Sequence, residues 1–321
     1  MTEFAFLALD GCSAGAVGIT IDVVDAAHRI AARKLFKLRF IGVAESAAMR
    51  GGLTLRTDRL PRQRSADVVL VPGLGASNEA ELDAMFERAD VRRAVSWLAS
   101  PARAERVFAS SCSGAFLLGA AGLLDGQSCT TTWWLSPLLQ QKFPRARVRV
   151  ESMVAVSGRV VTAGASLAHM DLMLTLLARL HSQQLAHDVG QALVVDRRVS
   201  QARYIVPSHL VSDSRLIQEL DATIRDRLAK PLSLEDLASD LGVTGRTLSR
   251  RTRAATGESP MRFVQRVRVQ TAVQMLETTK DPVERIARKV GLASPSSLYR
   301  LVMKHTGKSP LGHRVREISW R

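Results

Sequence analysis

The chain predicts two folded units of different class. The first is an α/β domain on a doubly wound, mostly parallel sheet, and the second is an all-α domain with two helix-turn-helix units. Three observations carry this. Strand-like apolar runs alternate with helix-like stretches over the first half, one pattern occurs twice near the end, and positive charge is concentrated where that pattern lies. At 321 residues, with 46% hydrophobic and 23% charged content, both units can bury a core.

In the first half, the runs 4–9, 36–43, 67–71 and 106–109 have strand length and composition. Residues 14–32 and 79–99 lie between them with helical character, and another helix-like stretch, 113–123, follows the last. Sites on such a sheet gather at the C-terminal ends of strands, and two motifs lie there. Val71-Pro72-Gly73-Leu74-Gly75 leaves a strand directly, and Gly73 and Gly75 permit a tight turn whose N–H groups could face a ligand. Ala109-Ser110-Ser111-Cys112-Ser113-Gly114-Ala115 puts a cysteine among small residues at a strand-to-helix turn, the steric requirement of a nucleophile elbow. A thiol at that helix N-terminus is expected to have a lowered pKa. Structural burial of Cys112 is the alternative.

Nucleophilic use of Cys112 needs a base, usually histidine, oriented by an acid. From Gly11 to Ile21 there is no acid. His28, His181 and His187 lie in helix-like stretches, and His305 and His313 fall in the second unit. His169, after Ala163-Gly164-Ala165-Ser166, is the histidine that could approach the same strand ends. Cys12, Cys112 and Cys129 form no CxxC pattern, so no metal or cofactor is expected. The N-terminus enters Phe4-Ala5-Phe6-Leu7-Ala8-Leu9 with no basic region ahead of it, and the tract 109–124 is interrupted by three serines and Cys112. No secretory or membrane segment is expected, and a cytoplasmic location is the corresponding expectation. The first domain is expected over 1–188 and the second over 214–321. A linker spans 189–213, marked by Arg197, Arg198, Arg203 and Pro207.

The second unit is defined by its duplication. Thr256-Gly257-Glu258-Ser259-Pro260 recurs as Thr306-Gly307-Lys308-Ser309-Pro310, and Leu248-Ser249-Arg250 as Leu298-Tyr299-Arg300, both at a shift of 50 residues. Upstream, Ala238 with Gly242 recurs as Ala287 with Gly291 at a shift of 49, so a one-residue slip falls inside a turn. Alanine permits close helix packing and glycine a left-handed helix end. Thr244 and Ser294-Pro295-Ser296 then supply the capping chemistry of a second helix. Residues 245–316 hold sixteen Lys or Arg against four acids, whereas residues 1–212 carry a net charge of only +6. This is the electrostatic footprint of a polyanion-binding module.

On these motifs, residues from about 216 to 316 resemble the AraC-type DNA-binding domain. The resemblance implies double-stranded DNA as partner, with two recognition helices in successive major-groove segments. A long helix, 260–278, would join them and bury Phe263, Val264, Val267, Val269, Val273 and Met275. Carried over by position, the DNA-binding candidates are Arg246, Thr247, Ser249, Arg250 and Arg251 in the first copy and Ser296, Ser297 and Arg300 in the second. Thr252 stands where that family usually has an aromatic core residue, which implies a looser first copy.

Residues 3–188 resemble the PfpI-like branch of the class I glutamine amidotransferase-like superfamily, a flavodoxin-like fold. The resemblance rests on Pro72-Gly73-x-Gly75, Cys112, Thr130-Thr131-Thr132-Trp133 and Val161-Thr162-Ala163-Gly164-Ala165. Enzymes of that superfamily have a histidine after the Thr-Thr pair and an acid in the first strand-to-helix connection, where this chain has Thr132 and Ala16. The resemblance therefore implies a catalytically inactive pocket formed by Gly73, Gly75, Cys112, Ser113, Thr131, Thr132 and Trp133. The Trp133 ring would offer a cation-π face unless it packs in the core or a dimer interface. The two resemblances together match the GlxA-like subfamily of regulators. They imply a homodimer that acts with RNA polymerase and responds to a small nitrogen-containing effector. Two other readings of Cys112 stay open, a redox or electrophile sensor and a cysteine hydrolase.

Overall fold

In the first unit, buried apolar strands alternate with capped helices in the order the sequence predicts, with short strands added. The elements are β1 (Thr2–Leu7), α1 (Ala14–Ile30), β2 (Phe36–Gly42), β3 (Ser46–Ala48), β4 (Thr54–Arg56), β5 (Asp58–Arg59) and β6 (Val68–Val71). Then come α2 (Glu79–Glu87), α3 (Ala89–Ala99), β7 (Val107–Ser111), α4 (Gly114–Ala120), β8 (Ser128–Cys129), α5 (Ser136–Lys142) and β9 (Arg147–Val148). The unit closes with β10 (Val154–Ser157), β11 (Val160–Ala163), α6 (His169–Leu180) and α7 (Gln183–Ala192). The structure is a computed structural model that describes residues 1–61, 66–100, 106–196, 198, 200–201, 204–205, 215–256, 258–307 and 309–314. The chain divides into Met1–Gln201 and Ala202–Arg321. No helix among the described residues is long and apolar enough to cross a membrane.

The main sheet runs β10-β11-β7-β6-β1-β2-β5. Every neighbouring pair is parallel except β10 with β11. Every residue of β6 and β7 is buried, as parallel strands covered on both faces must be. From β1 the chain crosses to β2 on one side, then later places β6 on the other and steps onward to β7. Right-handed crossovers therefore put α1 and the α2–α3 pair on opposite faces. The direction reverses between β1 and β6, and the loops after β1, β6 and β7 open at that point.

The structure departs from the sequence reading in three places. The stretch 79–99 is two helices, because Arg88 is extended at φ −69°, ψ 134°. Leu82 and Met85 are spaced as one buried stripe, but Val91 comes six residues later, so the stripe restarts with α3. The boundary at 188 falls inside α7, where Val189 is fully buried. The expected linker therefore begins as core, and residues to Gln201 belong to the first unit. Arg197, Arg203 and Pro207 lie outside the described residues. In the joining helix, Ala272 and Leu276 take the buried positions expected of Val273 and Met275, which are half-buried.

The second unit comprises α8 (Arg215–Asp226), α9 (Leu234–Asp240), α10 (Gly245–Thr256), α11 (Pro260–Thr278), α12 (Val283–Lys289) and α13 (Pro295–Thr306), ending in a 3₁₀ turn, Pro310–His313. The duplication is visible bond by bond. Gly242 and Gly291 take φ of +62° and +69°, and Val243 N–H and Leu292 N–H return to the carbonyls of Ala238 and Ala287. Thr244 Oγ1 and Ser294 Oγ accept from Thr247 N–H and Ser297 N–H, both at 3.2 Å. The second turn has one extra residue, the exposed Ala293, which accounts for the slip from 49 to 50.

Thr252 is fully buried and its hydroxyl has no hydrogen-bond partner, whereas Val302 fills the matching position of the second copy. Thr252→Val keeps the shape and removes the orphaned hydroxyl, so it should stabilise the second unit by about 1 kcal/mol. Urea unfolding of the full chain followed by amide exchange in α10 measures this; a lowered midpoint would show that the hydroxyl is satisfied after all.

Candidate functional sites at the Cys112 turn and the paired helices

Cys112 opens the two-residue corner between β7 and α4 with φ +55°, a left-handed conformation that costs a non-glycine residue about 1–3 kcal/mol. Both of its backbone polar groups are held. Its N–H is shared between the carbonyls of Gly164 at 2.7 Å and Ala163 at 3.2 Å. Its carbonyl accepts from Thr131 Oγ1 at 2.8 Å. Two glycines allow the approach. A Cβ on Gly73 would lie 2.8 Å from Cys112 Cβ, and one on Gly114 would lie 2.3 Å from the carbonyl oxygen of Val71. The turn is thus a nucleophile elbow in backbone geometry.

Its chemistry differs from the expectation. Burial pushes the Cys112 thiol up, not down. Hydrogen bonding from Ser113 and the positive charge of Arg50 oppose this without reversing it. The helix behind the cysteine is only two turns long, and desolvation outweighs its dipole. Among the described residues, no histidine or carboxylate hydrogen-bonds Cys112. His28 Nε2 accepts from Phe36 N–H at 3.1 Å, and His181 Nδ1 meets Ser182 Oγ at 3.3 Å.

His169 does approach the strand ends, but from the far side of the sheet. It is 0% exposed, with Nδ1 2.9 Å from Ser111 Oγ and Nε2 2.9 Å from Thr20 Oγ1. Thr20 donates its own proton to the Ala16 carbonyl at 2.8 Å, so it must accept from Nε2–H, and Ser111 must donate to Nδ1. Burial lowers the His169 pKa to about 4. This is a neutral structural imidazole, and no base for Cys112.

The structure brings together Gly73, Cys112, Ser113 and Thr131, but leaves them little freedom. Ser113 Oγ accepts from Leu74 N–H at 3.0 Å. Thr131 is spent on the Cys112 carbonyl. Thr132 is buried with its hydroxyl unpartnered. Trp133 packs edge-to-face on Trp134 at 5.2 Å and is 8% exposed, which presents no open aromatic face. At Gly75, φ is +87° and Arg50 lies over the residue, donating from Nη1 to its carbonyl at 3.0 Å.

Sequence reasoning missed Arg50 and Gln201. Arg50 sits in the β3–β4 hairpin turn, and bonds between the hairpin and the β1–α1 loop, Gly11 N–H to Ala48 O and Arg50 N–H to Cys12 O, bring it to the site. Gln201 lies far along the chain, yet its carboxamide is buried and donates to Thr131 O at 3.0 Å, Val150 O at 2.8 Å and Thr130 Oγ1 at 3.3 Å.

In the second unit, α10 and α13 each bury one leucine, Leu248 or Leu298, and turn a stripe outward. Arg246, Arg250 and Arg251 are exposed and Ser249 is half-exposed; in the second copy Ser296 and Arg300 are exposed. Thr247 and Ser297 serve first as capping partners, each with its hydroxyl about 3 Å from that of Thr244 or Ser294. Helical spacing extends the stripes to Arg253, Tyr299 and Met303, the last two 47% and 38% exposed. The sequence reading passed over these three, although the 50-residue shift that pairs Ser249 with Tyr299 could have found them.

A model of the DJ-1/PfpI family matches residues 17–179, half of the chain, and a helix-turn-helix domain model matches residues 237–316. The chain is 25% identical to the HTH-type transcriptional regulator GbdR of Pseudomonas aeruginosa, over 97% of this chain and 84% of that protein. It is 29% identical to the HTH-type transcriptional regulator CdhR of the same species, over 69% of this chain and 66% of the relative. A THiJ/PfpI family protein from Pseudomonas syringae has a likeness of fold alone, with a TM-score of 0.51 at 19% identity over 75% of this chain and 90% of that one.

His169 gives the first unit a pH dependence of known sign. Its folded pKa of about 4 lies below the ordinary 6.5, so the unfolded chain takes up the proton first as pH falls. Stability should drop by up to about 3 kcal/mol between pH 6.5 and 4 from this group. Urea midpoints at a series of pH values test it: His169→Gln should flatten that window, and an unchanged slope would place the titration elsewhere.

Proposed function

The chain belongs to the DJ-1/PfpI family and carries a helix-turn-helix domain of the AraC type, and on that premise we propose a transcription regulator whose first unit is a catalytically silent receptor for a small nitrogen-containing metabolite. The observation that carries the silent reading is Cys112 itself. The strained elbow is kept, while its thiol is pushed towards the neutral form and has no base in contact among the described residues. Hydrolysis needs that base, and redox sensing needs thiolate, so both alternatives fall behind ligand binding.

Arg50 is the exposed cation at the Gly75 turn, and its charge acts on Cys112. It suits the anionic end of an effector such as a carboxylate. Gly73, Gly75, Cys112, Ser113, Thr131, Thr132 and Trp133 then form the wall behind that entrance. In the second unit, double-stranded DNA is read by the stripes of α10 and α13. Arg246, Arg250 and Arg253 offer guanidinium donors, Ser249, Ser296 and Arg300 polar contacts, and Tyr299 and Met303 an apolar surface for thymine methyl groups. Arg251 flanks the first stripe and suits a phosphate, and Thr247 and Ser297 hold the helix starts in register. A homodimer through the first unit, contact with RNA polymerase and a cytoplasmic location complete the reading.

Arg250→Ala and Arg300→Ala should each weaken binding to a selected operator by about 1–3 kcal/mol, with little change on unrelated DNA. Footprinting on genomic fragments supplies the operator and titration the affinities; wild-type affinity in both variants would sink the assignment of α10 and α13. Cys112→Ala should retain effector-dependent binding to the same operator. Loss of that response together with loss of peroxide sensitivity would revive the redox reading.

A further inference from the structure

Arg198, Ser200 and Gln201, at the end of the first unit, are each bonded to its body, and Gln201 reaches the candidate receptor. Arg198 is clamped to the buried Asp171, its guanidinium Nη2 at 2.6 Å and its backbone N–H at 2.7 Å from the two carboxylate oxygens. Ser200 bridges to Ser152 in antiparallel fashion, and Gln201 N–H donates to the Glu151 carbonyl at 2.9 Å. Beyond Gln201 the second unit begins.

The Gln201 side chain is 2% exposed. Its NH₂ group faces three acceptors, Thr131 O, Val150 O and Thr130 Oγ1. These fix which end of the amide is nitrogen, because the reverse orientation would set oxygen against oxygen. Its Oε1, by contrast, is buried with no donor. That oxygen sits over Gly164, where a Cβ would lie 2.3 Å away, and the Gly164 carbonyl holds the Cys112 N–H. The neighbouring Thr132 hydroxyl is also buried and unpartnered. Beside the Cys112 corner, therefore, a cluster of acceptors is filled by a carboxamide whose NH₂ end fits and whose oxygen does not, since a buried acceptor without a donor is a standing penalty.

We propose that the Gln201 carboxamide is a tethered occupant of a subsite for planar N–H donor groups without an acceptor oxygen, an amidinium or guanidinium, and that a ligand of this class enters by displacing it. The inference rests on the receptor reading and deepens it. Three acceptors select for N–H, so a quaternary ammonium, which has none, is excluded from the subsite. Displacement releases the Gln201 side chain, at the last residue of the first unit, without a catalytic step.

The test uses the full chain with acetamidinium and tetramethylammonium as probes. Calorimetric titration should show acetamidinium binding Gln201→Ala about tenfold or more tightly than wild type, because the competing occupant is gone. Gln201→Met, whose apolar side chain stays in place, should not bind it, and tetramethylammonium should not distinguish the three proteins. In wild type, acetamidinium should also accelerate hydrogen exchange at the Gln201 amide; this second readout decides alone if the alanine variant does not fold. Equal affinity of wild type and Gln201→Ala, absence of acetamidinium binding, the same gain with tetramethylammonium, or unchanged exchange would each overturn the proposal. None of these readouts involves DNA, so loss of operator recognition would count against the regulator reading and leave this one standing.

Discussion

Parallel pairing of β1 with both β2 and β6 is the constraint on which the first unit depends. Phe4 stands opposite Leu38 on one side and Val68 on the other, so the strand is bonded along both edges. Parallel neighbours cannot be joined by a tight turn. Each must be reached by a long crossover, and the fixed hand of crossovers forces the chain to reverse its direction of travel beside β1. That reversal separates the helices and opens the sheet at one end. The Cys112 corner, the Gly73 turn and the Arg50 hairpin meet there. The strain at Cys112 is tolerated for the same reason: β6 and β11 hold β7 on both sides, and the bonds to Gly164 and Thr131 pin the corner residue itself.

In the second unit the equivalent constraint is local. Two left-handed glycines, each followed by a hydroxyl cap, set the angle between successive helices, and α11 carries the first pair to the second. Burial inside the repeat is not equal. Glu258 pairs with the buried Arg266 at 3.0 Å, an ion pair inside a highly basic unit. Asp281 gathers Arg285 and Lys289 at the start of α12, which lowers its pKa through the Lys289 contact first. These acids organise the cations around them more than they reduce the total charge.

What the sequence made legible came from periodicity and turn chemistry. The major strands, the Cys112 corner and the bounds of α11 were all readable, since apolar spacing, small residues and Ser-Pro caps act over a few positions. The rest depended on distance along the chain. The break at Arg88 needed the register of two buried stripes against one sheet face. Arg50 and Gln201 reach the site through backbone bonds to Cys12 and Glu151, partners 38 and 50 residues away, which no local pattern encodes. The thiol pKa went the wrong way because helix position is visible in a sequence and desolvation is not. His169 was placed near the correct strand ends, but the face of the sheet on which it lies depends on the pleat of β7.

The two outward stripes are unlike. One offers Arg246, Ser249, Arg250 and Arg253, the other Ser296, Tyr299, Arg300 and Met303. Under the proposed reading the two stripes are different words, and words have a grammar: they can be read in one order only. A single chain on the duplex would then point one way, as an arrow does, and a palindromic site would require two chains facing each other. Duplication produced the second helix pair, but divergence of its surface gave the molecule a front and a back.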